Sequence, residues 1–203
     1  MGSRLVPELL RRGHAVRALV RKWSEHKLPS GCEAVLGNAL DKESFVNSIP
    51  PADTFVQLVG VAHPSPSKAS EFRSIDLASV RASVAAAVEA GGRHFVYLSV
   101  AHPAPAMKAY IEVRVEGETL VRASGLNATI LRPWYVLGPG HRWPYVFLPG
   151  YWLCELLPWT REGARRLGLV SLKQMIGALV HAVEHPPTGI RIVDVPEIKK
   201  SSP

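Results

Sequence analysis

Long apolar runs are missing from this 203-residue chain. None reaches the roughly 20 residues that a membrane-spanning helix needs, and the N-terminus lacks the apolar core of a signal peptide. Cysteine is scarce: Cys32 and Cys154 lie far apart and match no metal-ligand spacing. That excludes a disulfide framework and a thiolate metal centre, and a reducing cytoplasm is the expected compartment. No basic run is longer than two residues, although the formal net charge is +7. Spread-out cations of this kind lack the patch expected of a nucleic-acid binder. They leave an anionic lipid surface or a phosphorylated ligand as the partners that the charge suits. With 47% hydrophobic residues, the chain can bury a real core as one domain, or as one domain with a small appendage.

What is present alternates between helix and strand. The opening "GSRLVPELLRRG" carries Leu5, Val6, Leu9 and Leu10 at helical spacing, closed by Arg11, Arg12 and Gly13. "HAVRALVR" reads as a strand, as does "CEAVLGNALD", which ends in a turn. "TFVQLVGV" has the nearly continuous apolar character of a strand buried on both faces. "SIDLASVRASVAAAVEAGG" predicts an amphipathic helix with Leu77, Val80, Val84 and Val88 on its apolar side. Then come the strand "RHFVYLSV", a helix from about Tyr110 to Ser124, and the strand "NATILRP". Near the end, Ser171 and Gln174 form a capping box for a helix with a Leu172, Met175, Leu179, Val183 stripe, and "GIRIVDVPEI" reads as a closing strand. Such βα alternation predicts an α/β fold, a parallel sheet covered by helices on both faces.

Two segments echo each other. "FVQLVGVAHPSPSK" and "FVYLSVAHPAPAMK" are apolar strands that both run into Val-Ala-His-Pro. The intervening segments do not match, so this is no solenoid. Successive strands ending in similar loops line the carboxyl edge of a parallel sheet, where open α/β sheets take their ligands. His63 and His102 are therefore either ligand-facing or simply loop histidines ahead of turn prolines.

The stretches "GSRLVPELLRRGHAVRALVR", "GNALD", "FVYLS", "YIEVRVEGETLVRASGLNATILRP" and "YVLGPG" resemble those of an atypical short-chain dehydrogenase/reductase of the NmrA-like or NAD(P)H-binding kind. The resemblance covers roughly residues 1–140. It implies a Rossmann-like, doubly wound parallel sheet in that region, with residues 141–203 as a small substrate-side segment packed on the same domain. Members of that family begin with a strand and a glycine-rich turn leading into the helix, and Gly2 matches the last glycine of that turn. The expectation is that Met1 is an internal methionine and that the first, central strand lies upstream; the alternative is a genuine short form.

The same resemblance implies a dinucleotide cofactor, NADP with NAD as the alternative. Arg21 stands 19 residues after Gly2, at the end of the second strand of such a fold, followed by Lys22. Two cations there suit the 2′-phosphate of NADP. Asn38 stands where the family has an aspartate against adenine, with Ala39 beside it. Gly60 and Val61 are expected to pass under the cofactor ribose, and Pro133, Trp134 and Tyr135 complete the cofactor-binding set. For catalysis, "YIEVR" aligns Tyr110 with the proton-donating tyrosine and Arg114 with the lysine one helical turn on. Ser99 falls one position before the usual serine, and Val100 occupies that place. Two of three catalytic positions thus depart from the pattern. Tyr110 is either a proton donor or a pocket-lining tyrosine, and no metal ligands are expected.

The segment 143–159 holds Trp143, Trp152 and Trp159 among leucines and prolines. It suits an apolar substrate pocket, a protein interface, or peripheral membrane contact beside Arg161, Arg165 and Arg166. Two functions remain open from sequence: an NADP(H)-dependent oxidoreductase acting on a small apolar substrate, and a non-catalytic NAD(P)H-binding redox sensor or complex-supporting protein.

Overall fold

The computed structural model describes residues 1–50, 52–138 and 161–201. Helix α1 (Gly2–Arg11) buries Leu5 and Leu9. It stops where Gly13 takes φ +85°, a left-handed conformation that lets Gly13 and His14 N–H groups reach the carbonyls of Leu10 and Leu9. The chain then enters β1 (Val16–Val20), which pairs in parallel with β2 (Cys32–Leu36). Strand β3 (Thr54–Gln57) follows. A short helical turn and a π-helical turn over Phe72–Leu77 lead into α2 (Ala78–Glu89). Beyond it lie β4 (His94–Leu98), α3 (Lys108–Ala123), β5 (Asn127–Arg132) and the short β6 (Tyr135–Leu137). After the undescribed stretch come α4 (Arg161–Arg166), β7 (Leu169–Ser171), α5 (Leu172–Glu184), β8 (Ile190–Asp194) and α6 (Val195–Lys200).

Strands β3, β4, β5 and β8 form a four-stranded parallel sheet in that order. The two echoed segments are neighbours in register: Phe55 pairs with Phe95 and Val56 with Val96, and the two phenylalanine rings stack at 5.4 Å. Alternation along β4 and β5 sends Val96 and Leu131 to one face, against Leu5 and Leu9 of α1 and Met175 and Leu179 of α5. Phe95, Tyr97 and Ile130 point the other way, onto Val80 and Val84 of α2 and Val121 of α3. The C-terminal elements α5, β8 and α6 belong to this same core. The capping box is present, with Ser171 Oγ accepting from Gln174 N–H at 3.2 Å.

Between β1 and β3 the sheet is interrupted. Among the described residues β1 is hydrogen-bonded to β2 alone and β3 to β4 alone. A cleft of about 1190 Å³ separates them, walled by Leu5, Val6 and Leu9 of α1 and by residues of both strands. This explains a departure from the sequence reading: β3, expected to be buried on both faces, is half-buried except at Gln57, because one edge opens into the cleft. Two further expectations are corrected. Val88 is 47% exposed, since α2 turns Val80, Val84, Ala86 and Ala87 inward instead. "GIRIVDVPEI" is not one strand: β8 ends at Asp194, and α6 begins at Val195 with Pro196, whose fixed φ suits a first helical turn, in its second position.

His94 is buried between Thr54 Oγ1 (3.2 Å) and Thr129 Oγ1 (3.0 Å), and burial holds its pKa down from 6.5 to about 4. The unfolded chain therefore binds a proton that the folded chain refuses across this interval. Stability from His94 is complete above pH 6.5 and falls by about 3 kcal/mol as the pH drops to 4. Urea titrations at pH 7 and pH 4 check this: His94→Asn should lose clearly less stability on acidification than the wild type.

Candidate functional site

The residues singled out in the sequence gather at the carboxyl ends of the parallel strands. Arg21 and Lys22 leave β1 in an exposed turn that Ser24 N–H closes on the Arg21 carbonyl at 3.0 Å. The next loop lies alongside, because Gly37 N–H donates to the Val20 carbonyl at 3.1 Å. In that loop Asn38 Oδ1 accepts from Leu40 N–H, and Ala39 lines the cleft. Gly2 opens α1, whose N-terminus has no side-chain cap, and nothing lies within 4 Å of where a Gly2 Cβ would stand.

On the larger sheet, the loop after β3 is held from beneath by buried polar groups. Val59 N–H donates to Gln57 Oε1 (3.0 Å), and Val61 N–H donates to Asp76 Oδ2 (2.9 Å). Asp76 is fully buried in the π-helical turn, and its Oδ1 accepts from Arg114 Nη2. Arg114 also donates through Nη1 to the Leu98 carbonyl at 2.9 Å. Gly60 lies directly over this pair: a Cβ there would collide with Arg114 Nη2 and come within 2.9 Å of Asp76 Oδ1. The protein's own ion pair therefore requires a residue without a side chain at position 60.

Tyr110 shares an apolar cluster with Val61, Phe72 and Val113, and its ring centroid is 5.0 Å from the Arg114 guanidinium carbon. Burial pushes the Tyr110 phenol above its ordinary pKa, and the Arg114 cation only partly offsets this. Ser99 turns away from this group. It is buried, and its hydroxyl donates to Glu118 Oε1 at 2.7 Å. Arg132 grips the same carboxylate through Nε (2.8 Å) and Nη2 (2.5 Å), with Arg122 at 3.3 Å and His102 Nε2 at 3.5 Å. Burial raises the Glu118 pKa, but the bonds from Arg132 and Ser99 outweigh it and hold the carboxyl below its usual value. Val100, in the expected serine place, is buried. Pro133 accepts from Ala101 N–H at 2.9 Å, Trp134 packs on the main core, and Tyr135 begins β6. The structure thus brings Gly60, Val61, Tyr110 and Arg114 together, and sets Ser99 in a separate Glu118-centred cluster.

A profile of NAD(P)H-binding proteins matches residues 1–142. The chain belongs to the NAD(P)H-binding family. None of the curated proteins matches it. Among solved structures, this NAD(P)H-binding chain is similar to the Bordetella bronchiseptica enzyme WbmH in complex with NAD+, at TM-score 0.68 and 21% identity, covering 95% of this chain and 71% of that one. It is similar to a short-chain dehydrogenase/reductase superfamily protein from Agrobacterium tumefaciens with bound NAD (TM-score 0.66, 17% identity, coverage 95% and 74%). UDP-N-acetylglucosamine 4-epimerase from Bacillus cereus gives TM-score 0.68 at 16% identity, with coverage of 95% and 74%. At these identities the likeness establishes the fold, a Rossmann-like α/β architecture.

The residues present fit the adenosine half of a dinucleotide. Arg21 and Lys22 are exposed, and among the described residues neither forms an ion pair. The uncapped start of α1 offers backbone N–H groups of the kind that suit a pyrophosphate. A bound NAD(P)H supplies a hydride-donating nicotinamide. Toward that end, Arg114 has two of its guanidinium nitrogens committed to Asp76 and Leu98.

Asp76, Glu118 and Arg132 were missed in the sequence. Asp76 gave the clearest signal, a lone carboxylate inside the apolar run "SIDLASV". Its partner lies 38 residues away, so the pairing shows only in the fold. The aromatic segment 143–159 falls outside the described residues. Among those described there is no group of three or more metal-ligating side chains, and no helix is long and apolar enough to cross a membrane.

Proposed function

We propose that the chain binds NADP(H) in preference to NAD(H) and acts as a binding protein, a redox sensor or complex-supporting subunit, without turning the dinucleotide over at Tyr110. The observation that carries this reading is the commitment of Arg114. In a working reductase the cation one turn after the tyrosine lowers the phenol pKa and holds the nicotinamide ribose. Here that cation neutralises Asp76 and caps the Leu98 carbonyl, and although it still favours the Tyr110 phenolate, burial outweighs it and holds the phenol above its ordinary pKa. Preference for the 2′-phosphate is supported by Arg21 and Lys22, since an unpaired guanidinium gains charge-assisted bonds to a phosphate that NAD(H) lacks.

Titration of the full chain with NADPH and NADH tests the cofactor arm, and incubation with a broad aldehyde and ketone panel tests the chemistry. NADPH should bind more tightly, and Arg21→Asp should cut that preference at least roughly tenfold. Equal affinities before and after the change would remove the preference. The oxidoreductase reading keeps one observation in its favour, the Tyr110–Arg114 pair on a single helix face. Turnover of any panel member that falls sharply in Tyr110→Phe would install that reading in place of ours.

A further inference from the structure

We propose that Trp23 is a stacking platform for the adenine ring of the dinucleotide, with Arg21 and Lys22 taking the phosphate on the adjoining ribose. This rests on the dinucleotide-binding reading above. Trp23 is 78% exposed, more than any other large hydrophobic residue described. It occupies the third position of the Arg21–Ser24 turn with φ +69°. A positive φ at that position is the pattern of a type II turn, where glycine or asparagine ordinarily stands. A bulky side chain there is strained. Among the described residues the indole joins none of the buried clusters. Among the described residues, Trp23 thus combines a strained backbone with an exposed indole that joins no apolar cluster.

The surroundings identify the ligand chemistry. Lys22 Nζ lies 5.2 Å from the indole ring centroid, so a cation covers one region of the ring while the side chain stays open to a planar base. Arg21, the first residue of the same turn, is exposed and outside every ion pair described. The turn leaves the carboxyl end of β1 beside the Gly37–Ala39 loop, tied by the Gly37–Val20 hydrogen bond. An aromatic face flanked by two unpaired cations at this edge matches a purine nucleotide with an extra phosphate. An apolar partner would gain nothing from Arg21 and Lys22, and a phosphate alone would gain nothing from the indole.

The test uses the full chain and three ligands: NADPH, NADH and adenosine 2′,5′-bisphosphate. Binding of the first two is followed by nicotinamide fluorescence and of the third by calorimetry. Trp23→Ala should weaken all three alike, by roughly tenfold, since each carries adenine. Trp23→Phe should stay within about threefold of the wild type, keeping a stacking face. Trp23→Gly is the decisive variant: relieving the strain should raise Tm while weakening binding as much as Trp23→Ala. A lowered Tm in Trp23→Gly would make Trp23 a structural residue and overturn the proposal. Unchanged affinity of Trp23→Ala for all three ligands would overturn it too, leaving the dinucleotide reading intact. If the wild type binds none of the three, that reading fails and the platform falls with it.

Discussion

Asp76→Ala is expected to lower the unfolding free energy by about 3–5 kcal/mol, the usual consequence of removing one member of a buried ion pair. Two losses combine. Arg114, 5% exposed, keeps its charge with no counterion in a site closed to water. Val61 N–H loses its acceptor as well, so the loop after β3 loses the bond that fixes it. The melting temperature should drop by about 10 °C. Asp76→Leu with Arg114→Met should recover most of the loss, because an apolar pair of similar bulk removes both the stranded charge and its desolvation cost. Urea unfolding of the wild type, the single variant and the double variant decides it. A single variant within 1 kcal/mol of the wild type would mean that Arg114 finds water or another anion.

A second large effect is expected in amide hydrogen exchange. Strands β4 and β5 are paired on both sides, and Phe95, Val96, Tyr97, Ile130 and Leu131 are all fully buried. Their amides should exchange only through global opening, slowed by roughly a thousandfold or more. Among the described residues, strands β1 and β3 each pair on one side only, so no ladder partner is described for their cleft-facing amides. Those amides should exchange close to the free rate even though they sit mid-sheet in chain order. Residue-resolved exchange by NMR checks this. Equal protection in β1, β3 and β4 would show that the two sheets close up in solution.

The fold was legible wherever a segment's pattern decides its own state. Leu5 and Leu9, the Gly13 stop, the Ser171–Gln174 box and the buried strand "FVYLS" could all be read locally. Val88 misled because a helix rich in alanine has a wide apolar side, and only packing selects which part of it is covered. Neither strand's own sequence reveals what lies beside it, so the separation of β1 from β3 among the described residues is not a local reading. The site was legible as a set of positions and not as a wiring diagram. Tyr110 and Arg114 stand on one helix face as their spacing dictates, yet nothing local shows that Arg114 is answered by Asp76 or that Ser99 answers to Glu118. Such pairings join distant segments, and topology alone brings them together.

The edges of β1 and β3 left unpaired among the described residues also bear on how two chains could meet. Bare strand edges are templates for pairing with another molecule, but these two face each other inside a cleft walled by α1. A second chain reaches them only when the β1–β2 ribbon swings outward, which parts Val35 and Leu19 from Phe45 and Phe55 and leaves the four-stranded sheet whole. If two chains pair edge to edge, that pairing is expected to need only this local swing and not the unfolding of the main sheet.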